Sequence, residues 1–235
     1  MIRPIYPDHP ENSKKRLFGN MEAIFDVGYL ASASVVGILL LAGAKGDSAR
    51  TLSGVMALVL AGGDAFHLVP RIAVILRGAD ASPWATALGR GKQITSITMT
   101  VFYLLLWRIG LLLYAPEDVF ALSTAAATRI VYALAAVRII LCLFPQNRWT
   151  DPDPPGSWNL WRNIPFFLLG LAVSGLFFVF RSLVPGFGFM WFAILLSFAF
   201  YLPVVVWADR HPKVGMLMLP KTCTYLWMLA MCLSL

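Results

Sequence analysis

The stretch Leu52–Leu76 reads LSGVMALVLAGGDAFHLVPRIAVIL, and it decides the fold. An apolar run of about 20 residues is long enough to cross the hydrocarbon core of a bilayer as a helix. This run contains an acid, an imidazole and a guanidinium, from Asp64, His67 and Arg71. Their spacing places all three on one face of a helix. Because ionisable groups are costly at membrane depth, they usually face the interior of a bundle and mark function.

The composition is typical of a protein that crosses a membrane several times. Of 235 residues, 59% are hydrophobic and 13% are charged, whereas a soluble domain has about 25% charged residues. We predict an all-α bundle of seven transmembrane helices in residues 21–235, preceded by a polar tail, residues 1–20, without the apolar region of a signal peptide. The predicted spans are roughly 22–44, 51–77, 94–114, 122–144, 164–182, 188–208 and 214–234.

Basic residues in the loops predict the orientation. Cytoplasmic loops of membrane proteins carry an excess of Lys and Arg, and the N-terminal side carries eleven basic residues against five on the other side. We therefore expect a cell-membrane protein with a cytoplasmic N-terminus and an external C-terminus. The same distribution explains the net charge of +7 without a nucleic-acid partner. The eleven are Arg3, Lys14, Lys15, Arg16, Arg77, Arg90, Lys92, Arg148, Arg162, Arg210 and Lys213.

Ionisable residues within the predicted helices fall mostly in the cytoplasmic half. We expect them to line a polar cavity that binds a ligand. Asp64 is too deep to reach water, so it needs a partner, and Lys221 or Arg138 could balance its charge. The alternative is a structural ion pair that pins helices 2, 4 and 7. The candidate ligand-binding residues are Glu22, Asp26, Asp64, His67, Arg71, Lys92, Arg138, Asn163 and Lys221.

Three segments resemble an uncharacterised family of small bacterial seven-helix membrane proteins. They are Gly62–Arg71, Asn163–Phe166 and Pro220–Cys223, and the resemblance implies the fold without a known activity. A more limited resemblance, in Glu22 and Ala65-Phe66-His67, is to the alkaline ceramidase and adiponectin-receptor-like membrane hydrolases. That resemblance implies an intramembrane lipid hydrolase.

The last predicted helix departs from the zinc site of those hydrolases. Where they carry an His-x-x-x-His pair, this chain has Lys221, Cys223 and Tyr225. The three histidines of the chain, His9, His67 and His211, cannot form a three-histidine site. Because Arg71 and Lys221 would also repel a divalent ion, we predict no metal and no other cofactor. The alternative is a metal site of Asp64, His67 and Glu22, which requires Lys221 to turn away.

Three functional hypotheses are compatible with the sequence. In the first, the cavity binds or transports a small polar or amphipathic ligand. In the second, the protein is a lipid-active enzyme in which His67 is the general base and Asp64 orients it or holds a metal. In the third, the buried charges only specify packing in a structural or signalling protein. Membrane lipids are the expected surroundings in all three, and the oligomeric state is left open.

Overall fold

Seven long helices make up the fold, as seen in a computed structural model that describes residues 10–77, 82–115, 117–151, 155–208 and 210–235. Each helix, the last with the short turn before it, contains a segment long and apolar enough to cross a membrane. The prediction of an all-α seven-helix bundle is therefore confirmed, and the chain is an integral membrane protein. The helices are α1 (Pro10–Ala42), α2 (Ser48–Arg77), α3 (Ala85–Tyr114), α4 (Glu117–Leu143), α5 (Gly156–Val179), α6 (Met190–Trp207) and α7 (Met218–Cys232).

Several helices begin before the spans predicted from hydropathy. The helix α1 begins at Pro10 and includes the end of the predicted tail, whose first nine residues lie outside the described part. Likewise α3 begins at Ala85 and α5 at Gly156. The physical reason is that hydropathy detects the part of a helix that crosses hydrocarbon, whereas a helix continues into the polar interface.

Consecutive helices pack side by side, and α7 returns to contact α1 and α2, which closes the ring; α3 also contacts α5. The beginnings of α1, α3, α5 and α7 and the ends of α2, α4 and α6 therefore lie at one end of the bundle. We call this the N-terminal end, and the half of the bundle next to it the N-terminal half. The apolar core runs through the centre and is rich in aromatic residues, such as Phe102, Tyr103 and Phe166.

Glycines allow α2 and α3 to approach closely. A Cβ atom added to Gly63 would lie 2.6 Å from the Cβ of Thr98, and one added to Gly91 would lie 2.8 Å from the Phe66 carbonyl carbon. Thr95 Oγ1 donates a hydrogen bond to the Gly63 carbonyl at 2.9 Å. This contact fixes the segment of α2 that carries the polar residues against α3.

Candidate functional site

The acidic part of the site is built by α1 and α2, which run antiparallel. Glu22, Asp26 and Tyr29 follow one another at spacings of four and three residues, which puts them on one face of α1. Tyr29 donates a hydrogen bond from its hydroxyl to Asp64 Oδ2 at 2.6 Å. Glu22 forms an ion pair with Arg71 of α2. Two direct contacts thus join the two helices at the predicted site.

Asp26 lies between these two contacts and is buried, with 6% of its surface exposed. Its Oδ2 atom has no hydrogen-bond partner among the described residues. The charges of Arg71, Glu22 and Asp64 act on the carboxyl group. Arg71, the cation among them, pairs with Glu22 and forms no ion pair with Asp26 in the described structure. A buried polar atom that the protein leaves unpaired is unusual, because it costs free energy.

His67 lies at the close contact between α2 and α3. A Cβ atom on Gly91 would lie 2.7 Å from the His67 Cα atom, so the backbones meet at this level. The Nδ1 atom of His67 is buried and has no hydrogen-bond partner in the described part of the chain. Nearby cations, from Lys92, Arg71 and Lys221, act on the imidazole. Lys92 itself is exposed on α3.

Lys221 places a buried ammonium group at the centre of the N-terminal half. It lies in the first turn of α7, and 8% of its surface is exposed. Its Nζ atom is 4.5 Å from the ring centroid of Tyr201 and 5.2 Å from that of Tyr225. Such rings attract a cation through their quadrupole. The charges of Asp64 and Arg138 both act on the ammonium group, so Lys221 connects the acidic and basic parts of the site.

Arg138 is the centre of the basic part, and only 1% of its surface is exposed. Its Nε atom donates to Thr100 Oγ1 at 2.9 Å, and its Nη1 atom donates to the Arg162 carbonyl at 2.8 Å and to Asn163 Oδ1 at 3.2 Å. Its Cζ atom lies 3.6 Å from the ring centroid of Phe166. These partners are neutral, so the guanidinium joins α3, α4 and α5 without a carboxylate.

Tyr201 of α6 completes the connection between Lys221 and Arg138. Its hydroxyl donates to Asn163 Oδ1 at 2.8 Å, while its ring lies beside the Lys221 ammonium. A polar path therefore crosses the N-terminal half from Glu22 on α1 to Thr100 on α3. In this path, long-range electrostatic interactions link Asp26 to Asp64 and Asp64 to Lys221. The remaining residues of the path are linked by the direct contacts described above.

No family model, curated protein or solved structure matches the chain.

The structure brings most of the predicted residues together and changes the partner of Asp64. Lys221 acts on Asp64 at a distance, whereas Arg138 belongs to the cluster on α3, α4 and α5. The direct partner of Asp64 is Tyr29, which was not predicted from the sequence, and neither were Tyr201 and Thr100. The spacing of Tyr29 on the acidic face of α1 was a usable signal, because residues three apart on a helix are neighbours.

The site contains several side chains of the types that bind metal ions, from Glu22, Asp26, Asp64 and His67. Among the described residues, no group of three such side chains is placed so that it could hold a metal ion. Two of the three side chains of an Asp64, His67 and Glu22 metal site have other partners. Glu22 forms an ion pair with Arg71, and Asp64 accepts a hydrogen bond from Tyr29. Cys223, a further candidate ligand, is exposed.

Two apolar grooves lie on the outer surface of the described part of the bundle. One, of about 470 Å³, lies between α1 and α2. The other, of about 130 Å³, lies between α5 and α6, and Asn163 is part of its lining. The charged members of the predicted site line neither groove. The larger groove is lined by Val27, Leu30, Ala31, Ser34, Val69 and Ile72.

Proposed function

We propose that the protein binds or transports a small polar or amphipathic ligand in the N-terminal half of the bundle. The observation that carries the proposal is that two buried atoms of this half, Asp26 Oδ2 and His67 Nδ1, have no hydrogen-bond partner among the described residues. Buried polar groups in folded proteins nearly always have a partner, either from the protein or from a bound molecule. In a membrane, an unmatched group is an especially strong sign of function.

Lys221 supports the same proposal from the other side of the site. Its ammonium lies beside the rings of Tyr201 and Tyr225, and no carboxylate in the described chain lies within 4.0 Å of it. An ammonium without a direct counter-ion keeps its hydrogen-bonding capacity for another molecule. Lys221 is thus a second group of the site that is available to a bound molecule.

The orientation is a separate part of the proposal. We place the N-terminal end of the bundle in the cytoplasm of a cell-membrane protein, because basic residues are concentrated in its loops. A cysteine introduced at Gly156 in a cysteine-free background would test this in intact cells. We expect no reaction with a membrane-impermeant thiol reagent until the membrane is opened. Reaction in intact cells would reverse the assignment.

The hydrolase alternative requires Asp64 to orient His67 or to share a metal with it. Instead Asp64 accepts a hydrogen bond from Tyr29, and His67 Nδ1 has no partner among the described residues. The geometry therefore favours binding over general-base catalysis.

The structural alternative has a specific observation in its favour at Arg138. The contacts of this guanidinium are to Thr100, Arg162, Asn163 and Phe166, which join three helices. We therefore assign Arg138 mainly to holding α3, α4 and α5 together, and place ligand contact on the side of α1, α2 and α7.

Untargeted lipid and metabolite profiling of the purified protein tests the proposal. We expect a molecule that co-purifies with the wild type and is lost in His67→Gln. The matched control is His211→Gln, since His211 is exposed in the loop before α7. If both variants and the wild type carry the same molecules in the same amounts, the proposed site is wrong. A folding control is the elution profile of each variant in size-exclusion chromatography.

A further inference from the structure

The class of ligand can be inferred from the distribution of charge on α1 and α2. The charged groups that act on Asp26 are two carboxylates, Glu22 and Asp64, and one cation, Arg71. Arg71 is paired with Glu22, and Asp64 accepts the Tyr29 hydroxyl and experiences the charge of Lys221. Asp26 differs from both, because its Oδ2 atom has no hydrogen-bond partner in the described part of the chain. An acceptor of this kind is complementary to a cation that donates hydrogen bonds.

An apolar groove lies along the segment of α1 that follows Asp26. Val27 follows Asp26 directly, and Leu30 lies one turn further along α1; both line the groove of about 470 Å³. Across it, Ile72 is adjacent to Arg71 in α2. From Asp26 to the far lining residue, Ser34, the helix rises about 12 Å. On the outer surface, the groove therefore runs along α1 from the level of Asp26 toward the mid-depth of the membrane.

We propose that Asp26 binds the ammonium group of an amphipathic amine whose hydrocarbon chain lies in the groove between α1 and α2. This inference rests on the proposed function and specifies its ligand class. An anionic amphiphile would meet an excess of carboxylates at this position, which costs free energy in a medium of low dielectric. A neutral amphiphile would leave Asp26 without a counter-charge.

The ammonium could belong to a soluble alkylamine or to the headgroup of an aminophospholipid. Both present a primary ammonium next to an apolar chain, and Asp26 would contact the same group in each. Experiments in bilayers of defined composition separate the two sources.

Binding of dodecylammonium to the full chain in phosphatidylcholine nanodiscs tests the inference, with empty nanodiscs as the blank. We expect saturable binding that Asp26→Asn weakens by about 10- to 100-fold, the range for losing a hydrogen bond to a charged group. The matched control is Asp47→Asn. Asp47 accepts the Arg50 amide in an exposed loop, and asparagine keeps that acceptor. The control should bind as tightly as the wild type.

The groove is tested by a neighbouring pair of substitutions. Ala31→Leu adds bulk inside the groove, whereas Ser32→Leu adds it on the adjacent exposed face of α1. We expect the first to weaken dodecylammonium binding severalfold and the second to leave it unchanged. If both substitutions have the same effect on binding, the groove does not hold the hydrocarbon chain.

A competition experiment between phosphatidylethanolamine and dodecylammonium distinguishes the two sources of the ammonium group. If phosphatidylethanolamine in the nanodisc displaces dodecylammonium from the wild type, the headgroup is the ligand; if it does not, the soluble amine is. Either result supports the inference when the binding depends on Asp26. Equal binding by Asp26→Asn, or equal Asp26-dependent binding of dodecanol or dodecyl sulfate, would overturn it.

Failure of this inference and failure of the proposed function give different results. A co-purifying anion that depends on His67 would refute the amine and retain the binding site. Absence of both a co-purifying molecule and dodecylammonium binding would refute the two together.

Discussion

The hydrogen bond from Tyr29 to Asp64 gives a quantitative prediction for the coupling between α1 and α2. Tyr29 is almost fully buried, so Tyr29→Phe keeps the packing of the ring and removes the 2.6 Å contact with Asp64 Oδ2. A hydrogen bond to a charged group contributes roughly 1.5–3 kcal/mol. Hydrogen bonds between membrane helices average about 0.6 kcal/mol in double-mutant cycles. An ionised Asp64 therefore predicts a coupling energy in the higher range.

A double-mutant cycle with Tyr29→Phe and Asp64→Leu measures this energy. Unfolding in mixed micelles of the wild type, both single variants and the double variant supplies the four free energies. The loss of the charge that acts on Lys221 occurs in Asp64→Leu with and without Tyr29, so it cancels in the cycle. Tyr132→Phe is the control, because Tyr132 is an exposed tyrosine of α4.

We expect a coupling of about 1.5–3 kcal/mol between Tyr29 and Asp64 and no stability change in Tyr132→Phe. A coupling near 0.6 kcal/mol would match an average interhelical hydrogen bond and indicate a protonated carboxyl. A coupling indistinguishable from zero would show that the contact is absent and would refute the assignment of Tyr29 as the partner of Asp64.

Two further substitutions test the contacts that position the site. Gly63→Ala should destabilise the protein by about 1–3 kcal/mol, because its Cβ would lie 2.6 Å from the Cβ of Thr98 and a β-branched side chain is stiff in a helix. Gly62→Ala is the control, since its Cβ would have no described atom within 4 Å. We expect the control to be neutral or stabilising in the same unfolding assay. Arg138→Lys should cost at least about 2 kcal/mol, because an ammonium cannot reproduce the guanidinium fork, whereas Arg129→Lys on the exposed face of the same helix should be silent. Equal effects within either pair would contradict the packing described.

The fold was predictable from sequence because membrane helices are specified by composition. A bilayer requires about 20 apolar residues in each spanning helix. Seven helices in the described part of the chain meet that requirement. The helix ends were less predictable, since α1 begins at Pro10 among polar residues. Pro220 also lies in the first turn of α7, where a proline is tolerated without a kink.

The sequence predicted the depth of the site in the membrane better than the contacts between its residues. The spacing of Asp64, His67 and Arg71 predicted the polar face of α2. In the structure, Arg71 on this face forms an ion pair with Glu22 of α1. The partner of Asp64 is a tyrosine on α1, and charge alone pointed to a cation instead. Tyr201 could not be found, because nothing in its local sequence distinguishes it from other aromatic residues of an apolar helix.

The central claim is that a non-protein molecule completes the N-terminal half of the bundle. An experimental density map of the protein purified in mild detergent tests it most directly. We predict density larger than a single water within hydrogen-bonding distance, about 3 Å, of Asp26 Oδ2, and extending toward the groove between α1 and α2. Density there that is fully explained by protein atoms, or by one water bound to Asp26, would contradict the claim.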